Sequence, residues 1–383
     1  MNLLRLASLP LAILRYRQGD PGRPRFLTYI VTFTCNARCV MCDSWRKPSP
    51  DELSTAEIEA IFRQLPPLDA VRLTGGEPFV RPDLNEIAHL VRAHLRPGLL
   101  HVTTNGFLTA RIVEFCERRP RRLPLHLLVS LDGTEAKHNA VRGRETAWPT
   151  ATATLRALAP RRQELNLRLA VNQTLVDNES LHEYRRLRQF LQPLDIPLNA
   201  VLAYDASATY SLTEELELTP QAAGQYDPFG HFDTAELRAW LAQAEQDAAT
   251  RPPAERAAKR YYYRGLRHRL LHGQAVPNPP CVALHSHLRL YPNGDVPTCQ
   301  FNSRRVGNLR QQGFAELWHS ARARTQRAWV RACPGCWAEC EVLPNAVYSG
   351  DLLAEWFRPK SAGALPPGPA VGAAAAPASA GAV

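Results

Sequence analysis

The chain has 383 residues, which is enough for one large domain and a smaller second domain. Hydrophobic residues make up 45% of it, and this fraction supports a full core and excludes a chain that is disordered throughout. The formal net charge is +10, but all basic residues except four lysines are arginines. That skew is more typical of coding bias than of a surface that follows a phosphate backbone, so no nucleic-acid partner is expected.

Residues 1–24 precede the first predicted strand as an N-terminal extension. Its first part, Met1–Tyr16, combines Arg5 with a short apolar stretch, as a weak signal peptide does. Pro10 interrupts that stretch and no small-residue cleavage site follows it, which favours an amphipathic or frayed segment instead. No stretch of the sequence reaches the about 18 apolar residues that a membrane span requires. The chain is therefore expected in the cytoplasm, without a membrane span.

Residues 25–205 alternate between short apolar runs and amphipathic stretches of helical period. The predicted strands are Leu27–Phe33, Ala70–Thr74, Leu99–Thr103, Leu125–Leu131, Leu165–Thr174 and Ile196–Leu202. The predicted helices are Thr55–Gln64, Pro82–Ala93, Leu108–Glu117, Ala147–Leu158 and Glu179–Leu191. Ser54 is the expected N-cap of the first helix. Because strand–helix units of this kind form parallel sheets and six units cannot close an eight-stranded barrel, we predict an α/β fold with a partial (β/α)6 TIM-like barrel.

The periodic pattern weakens after Tyr204. Residues 206–275 are mostly polar and are predicted to connect two domains through helices, one of them near Asp233–Ala249. The aromatic run Tyr261–Tyr263 lies in this region. Such runs more often pack against other elements than form a recognition surface.

A compact second domain is predicted over residues 276–345. Its centre has the pattern of a β-hairpin, with strands His287–Leu290 and Val296–Thr298 joined by a turn at Asn293-Gly294. A helical segment, Phe314–Arg324, follows. Residues 346–383 form a tail that becomes rich in Ala, Pro and Gly, and we predict disorder from about residue 360 because such a composition cannot bury a core.

Nine cysteines are distributed unevenly along the chain. All but one fall into two groups, Cys35, Cys39 and Cys42 and then Cys281, Cys299, Cys333, Cys336 and Cys340. Tight pairs and triplets in a chain of this size indicate metal ligands rather than a disulfide framework, and a reducing compartment keeps such thiolates available to iron. Cys116 stands alone in an apolar helical stretch and is interpreted as a buried structural thiol.

The first cysteine group directly follows the first predicted strand, where the functional groups of parallel barrels gather. A four-iron cluster normally takes four cysteines, one for each iron, so Cys35, Cys39 and Cys42 would leave one iron open to an external ligand. A zinc loop with a fourth ligand from elsewhere explains the same triplet. The residues of the triplet by themselves leave both interpretations open.

The spacing of this triplet closely resembles that of the radical S-adenosylmethionine superfamily. The resemblance implies a [4Fe-4S] cluster on Cys35, Cys39 and Cys42, with the amino and carboxylate groups of S-adenosylmethionine on the open iron. In that family an electron from the cluster breaks a sulfur–carbon bond of the cofactor and gives methionine and a 5′-deoxyadenosyl radical. The resemblance also implies an external one-electron donor such as flavodoxin or ferredoxin.

Two further motifs resemble those of the family and occur in the same order. Gly75-Gly76-Glu77-Pro78 ends the second predicted strand and looks like the glycine-rich motif that holds the methionine amine. Paired glycines let a backbone approach a ligand closely, and a carboxylate accepts hydrogen bonds from an ammonium group. Thr104-Asn105-Gly106 ends the third strand and is similar to a cofactor-facing turn, with a plain turn as the alternative.

The fourth and fifth predicted strands carry weaker signals. Ser130 is similar to a family residue near the ribose or carboxylate of the cofactor. Arg142 is a candidate clamp for that carboxylate, and Asp132 is a candidate cofactor contact. A structural ion pair between Asp132 and Arg142 is the equal alternative. Asn172 on the fifth strand is a weaker candidate again.

The second cysteine group suits a metal site in the small C-terminal domain. Two pairs about thirty residues apart are compatible with zinc. The pattern also resembles the SPASM/Twitch extension of radical enzymes, which binds auxiliary iron–sulfur clusters. Five cysteines favour the shorter Twitch form, and its one auxiliary [4Fe-4S] cluster is expected on Cys281, Cys299, Cys333 and Cys336. Cys340 replaces one of these ligands or is free.

These resemblances cover residues 25–345 and predict a radical enzyme that abstracts hydrogen from a substrate, with the auxiliary cluster accepting an electron or ligating the substrate. The expected reaction is oxidative modification of a carbohydrate or another small molecule, because the N-terminal extension is shorter than the peptide-recognition domain of many peptide-modifying members. Maturation of a ribosomally made peptide or protein is the alternative. A zinc-binding scaffold or a nucleic-acid-binding module is the alternative from a different class.

Overall fold

A computed structural model describes residues 8–49, 51–225 and 227–356. Helix α1 (Leu9–Arg17) precedes the largest unit, in which strands alternate with helices. The strands of this unit are β1 (Phe26–Thr32), β2 (Ala70–Gly75), β3 (Leu99–Thr104), β4 (Leu125–Ser130), β5 (Leu167–Leu175) and β6 (Leu198–Leu202). Its helices are α2 (Thr55–Gln64), α3 (Leu84–Leu90), α4 (Thr109–Arg118), α5 (Glu135–Arg142), α6 (Ala147–Leu158) and α7 (Asn178–Leu191).

Strands β1 to β6 lie side by side in chain order, and every pairing between them is parallel. This arrangement confirms the predicted partial barrel. Burial alternates along β2 and so distinguishes the two faces of the sheet. Val71 and Leu73 are fully buried, whereas Arg72 and Thr74, which alternate with them, are half-buried. Because successive side chains of a strand point to opposite faces, the polar residues of β2 face the inside of the barrel.

The predicted N-cap of α2 is confirmed. Ser54 accepts a hydrogen bond from the backbone N–H of Glu57, and the Glu57 side chain accepts one from the backbone N–H of Ser54. This reciprocal capping box satisfies two backbone donors that the first turn of a helix leaves unpaired.

A further strand of the barrel sheet comes from the C-terminal region. Strand β7 (His287–Leu290) pairs in parallel with β1, on the side away from β2. The predicted hairpin between His287–Leu290 and Val296–Thr298 is therefore wrong in its pairing. The physical reason is that β1 is buried along its whole length. Water cannot hydrogen-bond to the backbone groups on its outer edge, so these groups need a partner strand.

The turn of that predicted hairpin is nevertheless present. Gly294 has a φ of +91°, and its N–H donates to the carbonyl of Tyr291 at 3.1 Å. The chain that leaves the turn forms β8 (Asp295–Pro297), which pairs antiparallel with β9 (Arg305–Asn308). The small C-terminal part thus contains an antiparallel pair one strand later than predicted.

The connecting region forms two helices, α8 (Thr234–Ala249) and α9 (Pro253–His272), of which the first agrees with the prediction. The run Tyr261–Tyr263 is buried in α9, which confirms its interpretation as packing. The rings of Tyr262 and Trp337 lie parallel with their centroids 6.3 Å apart. This stack holds α9 against the C-terminal cysteine segment.

The remaining helices are α10 (Phe314–His319), α11 (Ala321–Ala332), α12 (Glu339–Tyr348) and α13 (Asp351–Trp356). The predicted tail thus begins with helical residues, and the disorder predicted from residue 360 lies outside the described residues, as do residues 1–7 of the N-terminal segment. In the part of the chain that the structure describes, the helices are too short or too polar to cross a membrane.

Replacement of Gly265 by Ala tests the packing of α9. A Cβ atom at Gly265 would lie 1.9 Å from Cζ2 of the fully buried Trp337, so the ring and the helix have to separate. We expect Gly265→Ala to lower the free energy of unfolding in urea by about 1–3 kcal/mol, the usual effect of overpacking. Gly313→Ala is the matched control, because its Cβ would meet its nearest atom, of the Gln64 side chain, at 3.5 Å. Equal losses in the two variants would contradict this packing.

Candidate iron–sulfur and cofactor site

The first cysteine loop lies at the C-terminal end of β1 and is fixed by the end of α5. The backbone N–H of Arg38 donates to the carbonyl of Arg142, and that of Val40 donates to the carbonyl of Val141, both at 3.0 Å. A Cβ atom on Gly143 would lie 2.5 Å from the Arg38 carbonyl oxygen, so glycine is required where the helix meets the loop. The loop conformation therefore depends on α5, a helix that the sequence analysis did not predict.

Each sulfur of this loop has one N–H donor. The backbone N–H groups of Ala37 and Ser44 point at Cys35 and Cys42, and Nη1 of Arg142 points at Cys39, each 3.5 Å from the sulfur. Thiolates are soft ligands suited to iron–sulfur clusters, and hydrogen bonds to the sulfurs set the reduction potential of such clusters. The donor set of the loop therefore fits a cluster.

Burial raises the pKa of Cys35 to about 12 and that of Cys42 to about 11, and the charges of neighbouring thiolates contribute to both rises. Both side chains are consequently neutral thiols near pH 7 in the absence of a metal. Binding of iron displaces the thiol protons, so cluster assembly on this loop releases protons.

The described residues contain no group of three or more His, Cys, Asp or Glu side chains that converge as the ligands of one metal ion do. A zinc ion holds all of its sulfur ligands at about 2.3 Å from one point. In a four-iron cluster each thiolate binds a different iron, so the sulfurs stand further apart. Convergence on a single point is thus a requirement for zinc and not for a cluster.

The glycines at the end of β2 are needed for contact with the strand next to it. A Cβ atom on Gly75 would lie 2.2 Å from the carbonyl oxygen of Thr32, and one on Gly76 would lie 2.3 Å from that of Thr34. The close approach expected from this glycine pair is therefore made to the backbone that leads into the first cysteine loop. Through it, β2 sets the position of the residues just before Cys35.

Glu77 is buried and joins the ends of β2 and β3. Its carboxylate accepts hydrogen bonds from the backbone N–H of Phe79, the hydroxyl of Thr104 and the backbone N–H of Asn105, at 3.1, 2.8 and 2.7 Å. The Asn105 amide in turn donates to the Asn36 side chain at 2.6 Å, inside the cysteine loop. Pro78, also buried, opens the short helical turn at residues 78–80. The structure thus brings Gly75, Gly76, Glu77, Pro78, Thr104 and Asn105 together with the loop.

Asp132 and Arg142 form a buried ion pair, with Oδ2 of Asp132 2.6 Å from Nε of Arg142. The other carboxylate oxygen accepts from the backbone N–H of Thr174 at 2.9 Å. The ion pair is thus one of the two alternatives that the sequence left equal. Arg142 also contacts the Cys39 sulfur, a contact for which the sequence carries no signal because the two residues are 103 positions apart. Ser130 ends β4, opposite Asn172 on β5.

In the second cysteine group, Cys340 differs in its surroundings from the other four cysteines. Burial raises the pKa of Cys281 well above its ordinary value, and the thiolates of Cys299 and Cys333 add to the rise. Burial likewise raises the pKa of Cys336, and Glu341, Cys281 and Cys299 add to that rise. Cys281 therefore interacts with each of the other three cysteines, and Cys299 interacts with Cys281 and Cys336.

Cys340 lies in a different setting. Burial and Glu341 raise its pKa to about 11, whereas the cations Arg72 and Arg289 act in the opposite direction. Cys340 also lies in the wall of the large cavity described next. This separation agrees with the predicted ligand set of Cys281, Cys299, Cys333 and Cys336, which remains a prediction.

A cavity of about 1540 Å³ is lined by strand residues of the barrel and extends between β5, β6 and the helices α7 and α9. Its wall includes Tyr204 and Tyr210, from the polar stretch after β6 that the sequence analysis left without a role. Burial raises the pKa of both tyrosines, and the thiolates of Cys42 and Cys340 add to each rise. The cavity therefore lies between the first cysteine loop and Cys340.

The cavity wall contains one unsatisfied polar group close to the strand ends. Asn199 of β6 is buried, and among the described residues its side-chain oxygen has no hydrogen-bond partner. It stands opposite Asn172 in the sheet register, and both side chains line the cavity. A buried amide oxygen without a partner is costly, so a bound molecule with a donor group fits this position.

Comparison with known proteins gives two family matches. Residues 29–191 match the Radical SAM superfamily, and residues 281–340 match an iron-sulfur cluster-binding domain known as SPASM. The sequence is 26% identical over 316 residues to the AdoMet-dependent heme synthase of Methanosarcina barkeri, which covers 78% of this chain and 83% of that one. It is 37% identical over 144 residues to the mycofactocin maturase MftC of Mycobacterium tuberculosis, which covers 35% and 34% of the two chains.

The fold has a solved counterpart in anSMEcpe with bound AdoMet. The TM-score is 0.54 at 16% sequence identity, and the alignment covers 87% of this chain and 92% of that chain. The likeness confirms the predicted fold class, a partial α/β barrel followed by a small C-terminal iron–sulfur domain.

Removal of one partner of the buried ion pair tests its structural role. We expect Asp132→Ala to lower the free energy of unfolding by about 3–5 kcal/mol, because Arg142 is left buried without a carboxylate. Glu114→Ala, which removes an exposed pair with Arg118 on one face of α4, is the control and should cost less than about 1 kcal/mol. Urea titrations of both variants provide the measurement. A loss for Asp132→Ala as small as that of the control would show that the pair is not a major constraint.

The carboxyl group of Glu77 predicts a pH dependence of stability. Burial raises its pKa to about 7 from an ordinary value of 4.5. Between these values the folded chain keeps a proton that the unfolded chain has lost, so this contribution is full below pH 4.5 and lost as the pH rises through 7. Without S-adenosylmethionine, we expect wild type to lose about 2–3 kcal/mol relative to Glu77→Gln between pH 5 and pH 8. A difference in urea stability that does not change with pH would contradict the raised pKa.

Proposed function

Because the chain is a radical SAM enzyme with a C-terminal SPASM iron–sulfur domain, we propose that it oxidatively modifies a small organic molecule, of which carbohydrates are one class, inside its barrel. When bound, the cluster and S-adenosylmethionine supply the electron and the 5′-deoxyadenosyl radical that removes a hydrogen atom from the substrate. The chain's own residues have to hold these groups, orient the substrate and exclude water.

The observation that carries this proposal is the position of the cavity. It extends along the inside of the barrel from Tyr210, whose hydroxyl donates to the Gly75 carbonyl at 3.4 Å, to Cys340 in the small domain. A substrate in it would lie beside the first cysteine loop and within reach of the auxiliary cluster. Its volume exceeds the several hundred cubic ångströms usual for one ligand, so it has space for a small-molecule substrate.

In this proposal, Cys35, Cys39 and Cys42 hold the first cluster, and Arg142 offsets the negative charge of the Cys39 thiolate. Asn105 and Thr104 are held by Glu77 against the cysteine loop, where they line the position proposed for the methionine end of the cofactor. Pairing with Asp132 keeps the Arg142 side chain in one orientation. Binding of the cluster and binding of S-adenosylmethionine are thus coupled through shared side chains.

A small-molecule substrate is favoured by how far the relatives extend along the chain. The heme synthase of Methanosarcina barkeri and that of Nitratidesulfovibrio vulgaris align with 78% and 84% of this chain. Both are named for a small-molecule product. An external one-electron donor such as flavodoxin or ferredoxin belongs to the same proposal.

The second candidate is the maturation of a ribosomally made peptide. It is favoured by the 37% identity of about a third of the chain to the mycofactocin maturase MftC. The two candidates differ in what fills the cavity: a whole small molecule, or one side chain of a peptide that extends out of the barrel. Transfer of deuterium from labelled candidate substrates into 5′-deoxyadenosine separates them.

Replacement of the first cysteine group by alanine tests the radical assignment. We expect the anaerobic, reconstituted enzyme to contain about eight irons per chain and to form 5′-deoxyadenosine from S-adenosylmethionine with dithionite. The variant Cys35→Ala/Cys39→Ala/Cys42→Ala should lose about four irons and all product, because the cofactor has no iron to bind. Cys116→Ala, which removes a fully buried thiol in α4, should retain both.

Two results would overturn the proposal. One is a colourless wild-type protein that carries zinc alone after anaerobic reconstitution, as the scaffold alternative requires. The other is unchanged formation of 5′-deoxyadenosine by the triple variant, which would place the cluster elsewhere.

A further inference from the structure

Four basic or imidazole side chains stand next to one another across the inner face of the barrel. The sheet register pairs Arg72 of β2 with His101 of β3, His101 with His126 of β4, and His126 with Arg168 of β5. All four line the large cavity. We call Arg72, His101, His126 and Arg168 the basic row.

The other charged side chains of the cavity wall are already compensated. Each of its carboxylates is within 3.2 Å of a basic group, in the pairs Arg162–Asp195, Arg188–Asp247, Arg251–Glu255 and Lys259–Glu339. Arg289, also in the wall, pairs with Glu341. Among the residues that the structure describes, this leaves Arg72 and Arg168 as the arginines of the wall that make no ion pair.

The two arginines have room for a ligand. Arg72 is half-buried, and Nη1 donates to the carbonyl of Cys340 at 3.3 Å, while the guanidinium lies 5.2 Å from the centre of the Phe26 ring. Arg168 of β5 is exposed and lines the cavity. The carboxylate of Glu341 lies close enough to Arg72 to interact with it, but it is already paired with Arg289. Because a neutral carbonyl and an aromatic ring do not neutralise a charge, a positive potential remains beside Arg72.

The imidazoles between them add hydrogen-bonding groups without adding charge. Burial lowers the pKa of His101 well below its ordinary value and that of His126 to about 4, and the nearby cations contribute to both shifts. Both rings are thus neutral near pH 7. They meet edge to face with their centres 5.1 Å apart, and each neutral ring has one N–H to donate.

From this arrangement we propose that the basic row binds a substrate with two separated anionic groups, one on Arg72 and one on Arg168. The inference rests on the proposed function, since it defines the chemical class of the small molecule that the cavity would take. Three strand intervals of about 4.8 Å separate the two arginines along the sheet. The Arg72 guanidinium is turned toward Phe26 of β1, on the side of β2 away from β5, so the two guanidinium groups meet different parts of a ligand. Guanidinium groups bind carboxylate and phosphate oxygens in pairs of hydrogen bonds. A carboxylate or a phosphate can therefore bind to the basic row.

Isothermal titration calorimetry on the anaerobic holoenzyme with S-adenosylmethionine tests this inference. Octanedioate is the probe with two carboxylates, octane-1,8-diyl bisphosphate is the phosphate probe of the same length, and octanoate and 1,8-octanediol have one charge and none. We expect octanedioate or the bisphosphate to bind at least tenfold more tightly than octanoate and the diol. Whichever of the two binds identifies carboxylate or phosphate as the group that the row accepts.

Variants assign the binding to the row. Arg72→Gln and Arg168→Gln should each raise the Kd of the bound probe at least tenfold, and Arg168→Lys, which keeps the charge, should recover part of the affinity. Arg162→Gln is the matched control, because Arg162 also lines the cavity but is paired with Asp195, and its Kd should change less than twofold. Iron content per chain shows whether each variant is folded.

The inference is overturned if octanedioate and octane-1,8-diyl bisphosphate both fail to bind, if the diol binds as tightly, or if the row variants behave like Arg162→Gln. Its failure is distinguishable from failure of the proposed function. Formation of 5′-deoxyadenosine by wild type, measured on the same sample, reports the radical chemistry and does not depend on the probe.

Discussion

The contacts of Arg142 connect the first cysteine loop to the end of the barrel. One face of its guanidinium is paired with the buried carboxylate of Asp132, and Nη1 lies 3.5 Å from the Cys39 sulfur. A buried cation is costly unless negative charge lies close to it, and Arg142 has the Asp132 carboxylate and the Cys39 sulfur within reach. The backbone of the same helix end holds the loop through Arg38 and Val40, so charge and chain path are determined together.

The strand ends next to this loop are joined by contacts of a different kind. Gly75 and Gly76 allow the end of β2 to touch the backbone that follows β1, and Glu77 ties β2 to β3 through Thr104 and Asn105. These contacts bring the strand ends close together, next to the cavity in which we propose that the substrate binds. Rigid strand ends above an open cavity are the arrangement that positioning of a reactive group requires. The proposed cofactor position and the proposed substrate position follow from the same packing.

Much of the fold followed from local patterns. The strands of the barrel, the N-cap at Ser54 and the burial of Tyr261–Tyr263 all depend on periodicity or on residues a few positions apart. The hairpin failed for the opposite reason: the turn at Asn293-Gly294 is a local signal, but the partner of His287–Leu290 is a strand about 260 residues earlier in the chain. Residues 206–275 were predicted to contain helices, but the bounds of α9 were not predicted, because arginines and tyrosines interrupt its apolar periodicity, although its tyrosines are buried.

The resemblance to the radical SAM family could be read from the sequence, because the spacing of three cysteines and the order of the motifs after each strand are properties of neighbouring residues. The alternation of strands and helices likewise predicted a partial barrel that brings those strand ends to one edge. Which charges remain uncompensated became visible only in the folded chain. Arg72 and Arg168 are ordinary strand arginines in the sequence, and whether a carboxylate meets them depends on sheet register and on helices far away in the chain. The same holds for Arg142, Asp132 and Cys39, because electrostatic pairing depends on distance in space, which spacing along the chain does not supply.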